Sequence, residues 1–213
     1  INTARSAPAL PAGPIAYVDA GHQERFDRLL WEETSVGGLA YSLARNGTVP
    51  LLLYELDAAA LDGADLLILI APGEHFSRRE VETISRWVEG GGHLLASVGY
   101  EEVAASQDLL AHFGLSVDHI PLGPAEVLRD AGPVQFQEAW PVQATSGEAH
   151  VVAEAYGYPV AVHQPWGSGS IVLVGDSSFL LGGSLENQYS YREGNILLLR
   201  DILQQYLTVG STR

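Results

Sequence analysis

The chain has 213 residues, of which 46% are apolar and 17% charged, a composition that can bury a full core and excludes wholesale disorder. Its formal charge of −15 argues against a nucleic acid or an anionic membrane surface as partner, because phosphates would be repelled. It has no cysteine, which excludes disulfides, thiolate nucleophiles and cysteine-held zinc or iron–sulfur centres.

Methionine is absent too and the chain opens at Ile1, so it reads as a segment of a longer protein. No stretch has the length and apolarity of a membrane helix, and a membrane anchor would lie outside this segment. Residues 1–14 are rich in Pro and Ala without periodicity and read as a linker or N-terminal arm. A short strand follows over 15–18, then Asp19, His22 and Glu24. Phe26, Leu29 and Leu30 predict a turn or two of helix. Residues 35–45 predict a better helix, with Val36, Leu39, Ala40 and Leu43 on one side and Asn46-Gly47 as its stop. The next strand spans 49–56, and Pro50 near its start points to a sheet edge or to a strand end.

Residues 64–100 form the centre of the pattern. The Leu/Ile run at 65–71 is too short for a membrane and reads as a strand buried on both faces. Ser77 and Glu80 make a capping box, in which each side chain takes the other's backbone N–H. Val81, Ile84 and Val88 then share one helical face, and Gly90-Gly91-Gly92 stops the helix before a second apolar strand at 93–98. Strand, helix and strand predict a βαβ unit with parallel neighbours.

A helix over 101–113 turns Val103, Leu110 and Phe113 inward. The second half changes to short strand-like pieces at 115–120, 134–136, 142–145, 150–155 and 159–163, read as an antiparallel extension of the sheet. Residues 165–170 make the turn of a hairpin that returns along the apolar strand 171–174. A closing helix over 195–207, with Asn195 as its N-cap, precedes a tail at 208–213. The expected fold is a single three-layer α/β domain over 15–207, flavodoxin-like, with a mostly parallel sheet and helices on both faces.

In such a sheet ligands sit beyond the carboxyl ends of the strands. Those ends carry Asp19, His22 and Glu24; Glu74 and His75; Tyr100, Glu101 and Glu102; and Asp176, Ser177 and Ser178. Three or four of these loops are expected to converge on one acidic, histidine-containing crevice. Asp19-x-x-His22-x-Glu24 is the sharpest cluster, with the donors of a divalent-metal site or of an acid–base pair. The plainer alternative has Asp19 capping the next segment and His22 bonding loop backbone. Asp176 reads equally as a ligand for a metal or sugar hydroxyl and as a structural acceptor of loop N–H groups. Trp166, in the hairpin turn, is the aromatic expected to be exposed, ready to stack on a sugar or anchor a partner. No cofactor is expected, a divalent metal at Asp19, His22 and Glu24 being the alternative.

The run ADLLILIAPG, its helix and GGGHLLASVGY together resemble the class I glutamine amidotransferase-like superfamily, a likeness spanning most of residues 15–207. Catalytic members carry a cysteine just after the second strand, a position that falls here at Val98, so amidotransferase chemistry is rejected unless a shift of register puts Ser97 there. YVDAGHQE, FSRREVETISRWVEGGGHLL, GSGSIVLVGDSSFLLGG and EGNILLLRDIL are similar to the non-catalytic branch, with its gliding-motility and intraflagellar-transport type domains and uncharacterised bacterial envelope proteins. The resemblance implies a non-catalytic ligand-binding or scaffold domain of a larger, extracytoplasmic bacterial protein. Its partners would be other protein subunits or a small-molecule or carbohydrate ligand. The alternative from the residues themselves is a metal-assisted hydrolase using Asp19, His22, Glu24, His75 and Asp176.

Overall fold

The computed structural model describes residues 13–24, 26 and 32–207. Most of the expected arm, the turn at Leu29 and Leu30, and the tail at 208–213 lie outside the described residues. Five parallel strands form the body of a seven-stranded sheet: β1 (Ile15–Asp19), β2 (Val49–Leu53), β3 (Leu66–Ile70), β4 (His93–Ser97) and β11 (Gly169–Val174). Two antiparallel strands, β10 (Tyr158–Trp166) and β9 (His150–Ala155), complete it in the order β2-β1-β3-β4-β11-β10-β9. Pro50 does lie on an edge strand, where its missing N–H leaves no gap in the ladder.

Alternation along the strands divides the core into two apolar layers. Leu66, Ile68 and Ile70 of β3 face one layer, with Leu39 and Leu43 of α1 (Gly37–Arg45) and Leu198 and Leu199 of α5 (Glu193–Asp201). Leu67 and Leu69 face the other, with Ile84 and Val88 of α3 (Arg78–Glu89) and Leu109 and Leu110 of α4 (Val103–His112). A short α2 (Ala58–Leu61), capped by Asp57, was not foreseen. The capping box of α3 is present as expected: Ser77 Oγ accepts from Glu80 N, and Ser77 N donates to Glu80 Oε2 at 2.7 Å. Past its end, Gly91 takes the left-handed conformation, with φ +112°.

The second half departs from the sequence reading in three ways. Only β9 and β10 extend the sheet. β5 (Leu115–Val117) with β8 (Val142–Ala144), and β6 (Gly123–Arg129) with β7 (Gly132–Ala139), form two separate antiparallel ribbons, and β6 was not anticipated. Trp166 ends β10 rather than sitting in a turn. It is half-buried, edge-on to Phe113 at 5.2 Å, because a nine-residue strand carries it back over the end of α4.

Asn195 is not an N-cap either. It lies in the first turn of α5, buried, where Oδ1 accepts from Gln135 N and Nδ2 donates to Gln135 O, both at 2.7 Å. A primary amide carries a donor and an acceptor side by side, so it can pair with both backbone groups of one residue at once. This pair bolts the β6–β7 ribbon to α5, and a π-helical turn over Ile202–Tyr206 closes the helix. Asn195→Ala would leave both Gln135 groups unpaired and is expected to cost about 2–3 kcal/mol in urea unfolding. A loss near zero would show that the ribbon docks by apolar packing alone.

Candidate functional site

Because β1 lies between β2 and β3, the chain leaves β1 to one side and later returns on the other. The loops after β1 and β3 diverge there, and such a reversal is where open α/β sheets form their crevice. A cleft of about 490 Å³ occupies this place, lined by His22, Tyr54, Glu55, Asp57, Glu74, His75, Arg79 and Glu80 among others.

At its inner edge Asp19, the last residue of β1, is buried. Asp19 Oδ1 accepts from Gly21 N at 3.1 Å, and Oδ2 lies 2.7 Å from His22 Nδ1. Nε2, the other ring nitrogen of His22, lies 3.5 Å from Glu80 Oε1, and the ring stacks on Phe76 at 4.1 Å. The loop is tied to its neighbour through the His22 carbonyl, which accepts from Gly73 N at 2.8 Å and Glu74 N at 3.0 Å. Gln23 Nε2 donates to the Glu74 carboxylate.

The backbone is crowded here. A Cβ on Gly21 would stand 2.5 Å from Tyr54 O, so only glycine lets the β2 loop approach this closely. Gln23 and Ala71, at φ +51° and +46°, are non-glycine residues in the left-handed region, each costing roughly 1–2 kcal/mol. Such strain gathers at binding and switch sites when the surroundings hold it.

Burial pushes the Glu24 carboxyl up to about 8, helped by its hydrogen bond to Asp19 and the negative charge there. Burial alone would lower His22, but its hydrogen bond to Asp19 and the charges of Asp19, Glu80 and Glu24 raise it above the ordinary 6.5. Burial would likewise raise Glu80, but the Ser77 hydroxyl and N–H and the charge on His22 hold it below its ordinary value. The arrangement favours a bound proton on His22 and on Glu24, each drawn by the carboxylates around it. One ligand atom each of Asp19, His22 and Glu24 lies within 4.8 Å of the others, the donor set and spacing to hold a divalent ion.

The other expected residues do not join this crevice. Tyr100 and Glu101 line a separate cleft of about 860 Å³ between α4, β5 and Trp140, on which the Tyr100 ring stacks at 5.6 Å. Asp176 is a buried anchor: its carboxylate accepts from Gln137 N at 2.7 Å, Glu138 N at 3.2 Å and Ser178 N at 2.8 Å. Burial pushes its carboxyl up to about 6, against the pull of those three N–H groups. Ser177 accepts from Gly99 N at 2.7 Å and donates to Glu102, so it fastens the ends of β4 and β11 together. The expected single crevice is thus two clefts and a set of internal ties, because β4 and β11 lie on the far side of β3 from β1. Glu80 and Phe76 were missed as site residues. The capping box named Glu80, but that its second oxygen faces His22 depends on β1 lying beside β3.

A family model described as a domain of unknown function, DUF4350, matches residues 36–192. The chain belongs to this family. No curated protein matches it in sequence. Among solved structures it is similar to the mmIFT52 N-terminal domain, with 18% identity and a TM-score of 0.69, over 93% of this chain and 99% of that one. The cytoplasmic protein STM1381 from Salmonella typhimurium LT2 is 15% identical with a TM-score of 0.63, over 91% and 99%. The exo-β-1,4-mannosidase Op5Man5 from Opitutaceae bacterium strain TAV5 is 16% identical with a TM-score of 0.55, over 80% of this chain but 33% of that one. At these identities the likeness is one of fold, and it agrees with the flavodoxin-like, mostly parallel α/β architecture read from the sequence.

Val98, where the sequence resemblance puts the amidotransferase nucleophile, is wholly buried. Ser97, one residue earlier, is also wholly buried and donates its hydroxyl to the Asp176 carbonyl.

Glu24 and His22 both hold protons more tightly folded than unfolded, so the stability they give is present at low pH and lost as pH rises. For Glu24 the window runs from the ordinary 4.5 up to about 8, and for Asp176 from 3.8 to about 6, with the same sign. The melting temperature is expected to fall between about pH 4 and about pH 8, and Glu24→Gln to flatten the upper part of that fall. A midpoint that rises over this range would contradict the charge arrangement.

Proposed function

We propose that this chain is a non-catalytic binding and assembly domain of a larger bacterial envelope-associated protein, and that it receives a partner in the crevice at the β1–β3 reversal. One observation carries the reading: the crevice gathers Asp19, His22, Glu24 and Glu80 with two of the three left-handed non-glycine residues among the described ones, Gln23 and Ala71, while Val98, where the resemblance puts the nucleophile, is buried. The rim sets Glu55, Asp57, Glu74 and Glu80 against Arg79, a field that favours a basic side chain of a protein partner. A role as one domain among several is supported by two fold neighbours, one titled as an N-terminal domain and the other a mannosidase about three times longer than the likeness. The envelope setting rests on the sequence resemblance.

The test places a photo-crosslinking amino acid at His75, on the rim, in the producing cells. One adduct of defined mass is expected, lost on Glu80→Gln and on His22→Ala. No adduct, or the same adduct with both substitutions, would sink the proposal. A thermal-shift series with Mg²⁺, Ca²⁺, Mn²⁺ and Zn²⁺ supplies the counter-test. A rise specific to one ion and abolished by Asp19→Ala would replace the partner reading with a metal site.

A further inference from the structure

A cleft of about 590 Å³, sharing no lining residue with the His22 crevice, lies over the β6–β7 ribbon. β6, β7, the turn between β9 and β10 and the loop over residues 183–192 wall it, with Glu33 ahead of α1 and Asn195 of α5. Along β7 the side chains alternate: Phe136 packs into the core against Phe179, and Gln135 and Gln137 present their amides to the cleft. Arg192 Nη1 donates to Gln135 Oε1 at 2.8 Å, Gln135 Nε2 to Glu126 Oε2 at 3.2 Å, and Gln137 Nε2 to Ser184 Oγ at 2.9 Å. None of these bonds exhausts its groups, since an amide offers two donors and two lone pairs, and a guanidinium five donors.

The row is fixed from beneath. Asn195 holds both backbone groups of Gln135, and the Asp176 carboxylate holds the N–H groups of Gln137 and Glu138. Both anchors are 1% exposed. They keep the two glutamines in one geometry whether or not anything is bound, the preorganisation a recognition site needs. At the rim Tyr156 is 69% exposed and held at φ +53°. Its hydroxyl donates to Pro124 O at 3.3 Å, so the ring stands at the cleft with a fixed edge.

The chemistry of this lining selects a ligand class. Donors and acceptors alternate at hydrogen-bond spacing, and Glu33 and Glu126 are set against Arg192, so the cleft carries little net charge within a chain of −15. Two carboxylates disfavour a phosphate, and an apolar ligand would leave the amides unpaired. Adjacent hydroxyls on a sugar ring can each donate to a carboxylate or amide oxygen and accept from an amide or guanidinium N–H, and the ring's apolar face fits an aromatic side chain. We propose that this cleft is a saccharide-binding site, with Gln135, Gln137, Glu126 and Arg192 on hydroxyls and Tyr156 against a sugar ring.

The test is saturation-transfer NMR of the protein with neutral oligosaccharides at millimolar concentration (maltotetraose, cellotetraose, mannotetraose and chitotetraose), followed by titration calorimetry on any responder. At least one is expected to bind, about tenfold or more weaker with Gln137→Ala and with Tyr156→Asn, while His22→Ala binds as the unaltered protein does. Asparagine tolerates the left-handed backbone, so Tyr156→Asn removes the ring without adding strain. Should Gln137→Ala lower the melting temperature, Arg192→Lys keeps the charge, removes the fork and is expected to weaken binding likewise. No response from any of the four sugars, or a response that all these substitutions leave unchanged, overturns the proposal. Binding lost on His22→Ala alone would move the sugar to the other crevice and equally overturn this assignment.

Discussion

Everything in this molecule is arranged around a strand that has no wet side. All five residues of β3 are buried, with apolar layers above and below. Each such leucine or isoleucine contributes about 1.5–3 kcal/mol by leaving water. No charged side chain can be tolerated along such a strand, since burying one unpaired costs more than the strand's packing at that position returns. Polar chemistry is therefore displaced to the strand ends. The β2-β1-β3 order then opens a gap between the loops leaving β1 and β3, and Asp19, His22 and Glu80 meet across it.

Elsewhere the buried polar groups work as fasteners. Asp176 is almost wholly buried, yet three N–H groups converge on its carboxylate, two of them from β7. Hydrogen bonds to a charged acceptor contribute about 1.5–3 kcal/mol each, which offsets part of the desolvation and leaves the carboxyl pushed up to about 6. Together with Asn195 and Ser177, Asp176 turns separate segments into one frame: the β6–β7 ribbon against α5 and the end of β11, and the end of β11 against β4. The ribbon has only two strands, and two-stranded ribbons are marginal by themselves. It is held by these side chains and by Ala125, Val134, Phe136 and Ala139, which lie in the core.

The two clefts differ in kind. The crevice at the β1–β3 reversal is lined by charged side chains and carries backbone strain, so whatever enters it meets electrostatics first. The cleft over β6–β7 is close to neutral and lined by amides, so it meets a ligand with directional hydrogen bonds. A fold shared with the mmIFT52 N-terminal domain and a region of a mannosidase need not share a site with either, because function lies in such surfaces and not in the sheet beneath them.

Local sequence determined a good deal. The two-faced strand, the capping box at Ser77 and Glu80, the parallel pair β3 and β4, and the edge position marked by Pro50 were all legible, since each depends on periodicity or on contacts within a few residues. The members of the charged cluster, Asp19, His22 and Glu24, were legible for the same reason: they are neighbours in the chain and stand at a strand's carboxyl end. What only the tertiary structure decided is which loops meet. Strand order separated Asp176, Ser177, Tyr100 and Glu101 from His22 and brought Glu80 to it. The same long-range packing drew Asn195 away from the cap position to Gln135, 60 residues distant, and set Trp166 over the end of α4. No local pattern encodes these outcomes, because they follow from how the crossover connections place strands side by side and from which buried donors then need acceptors.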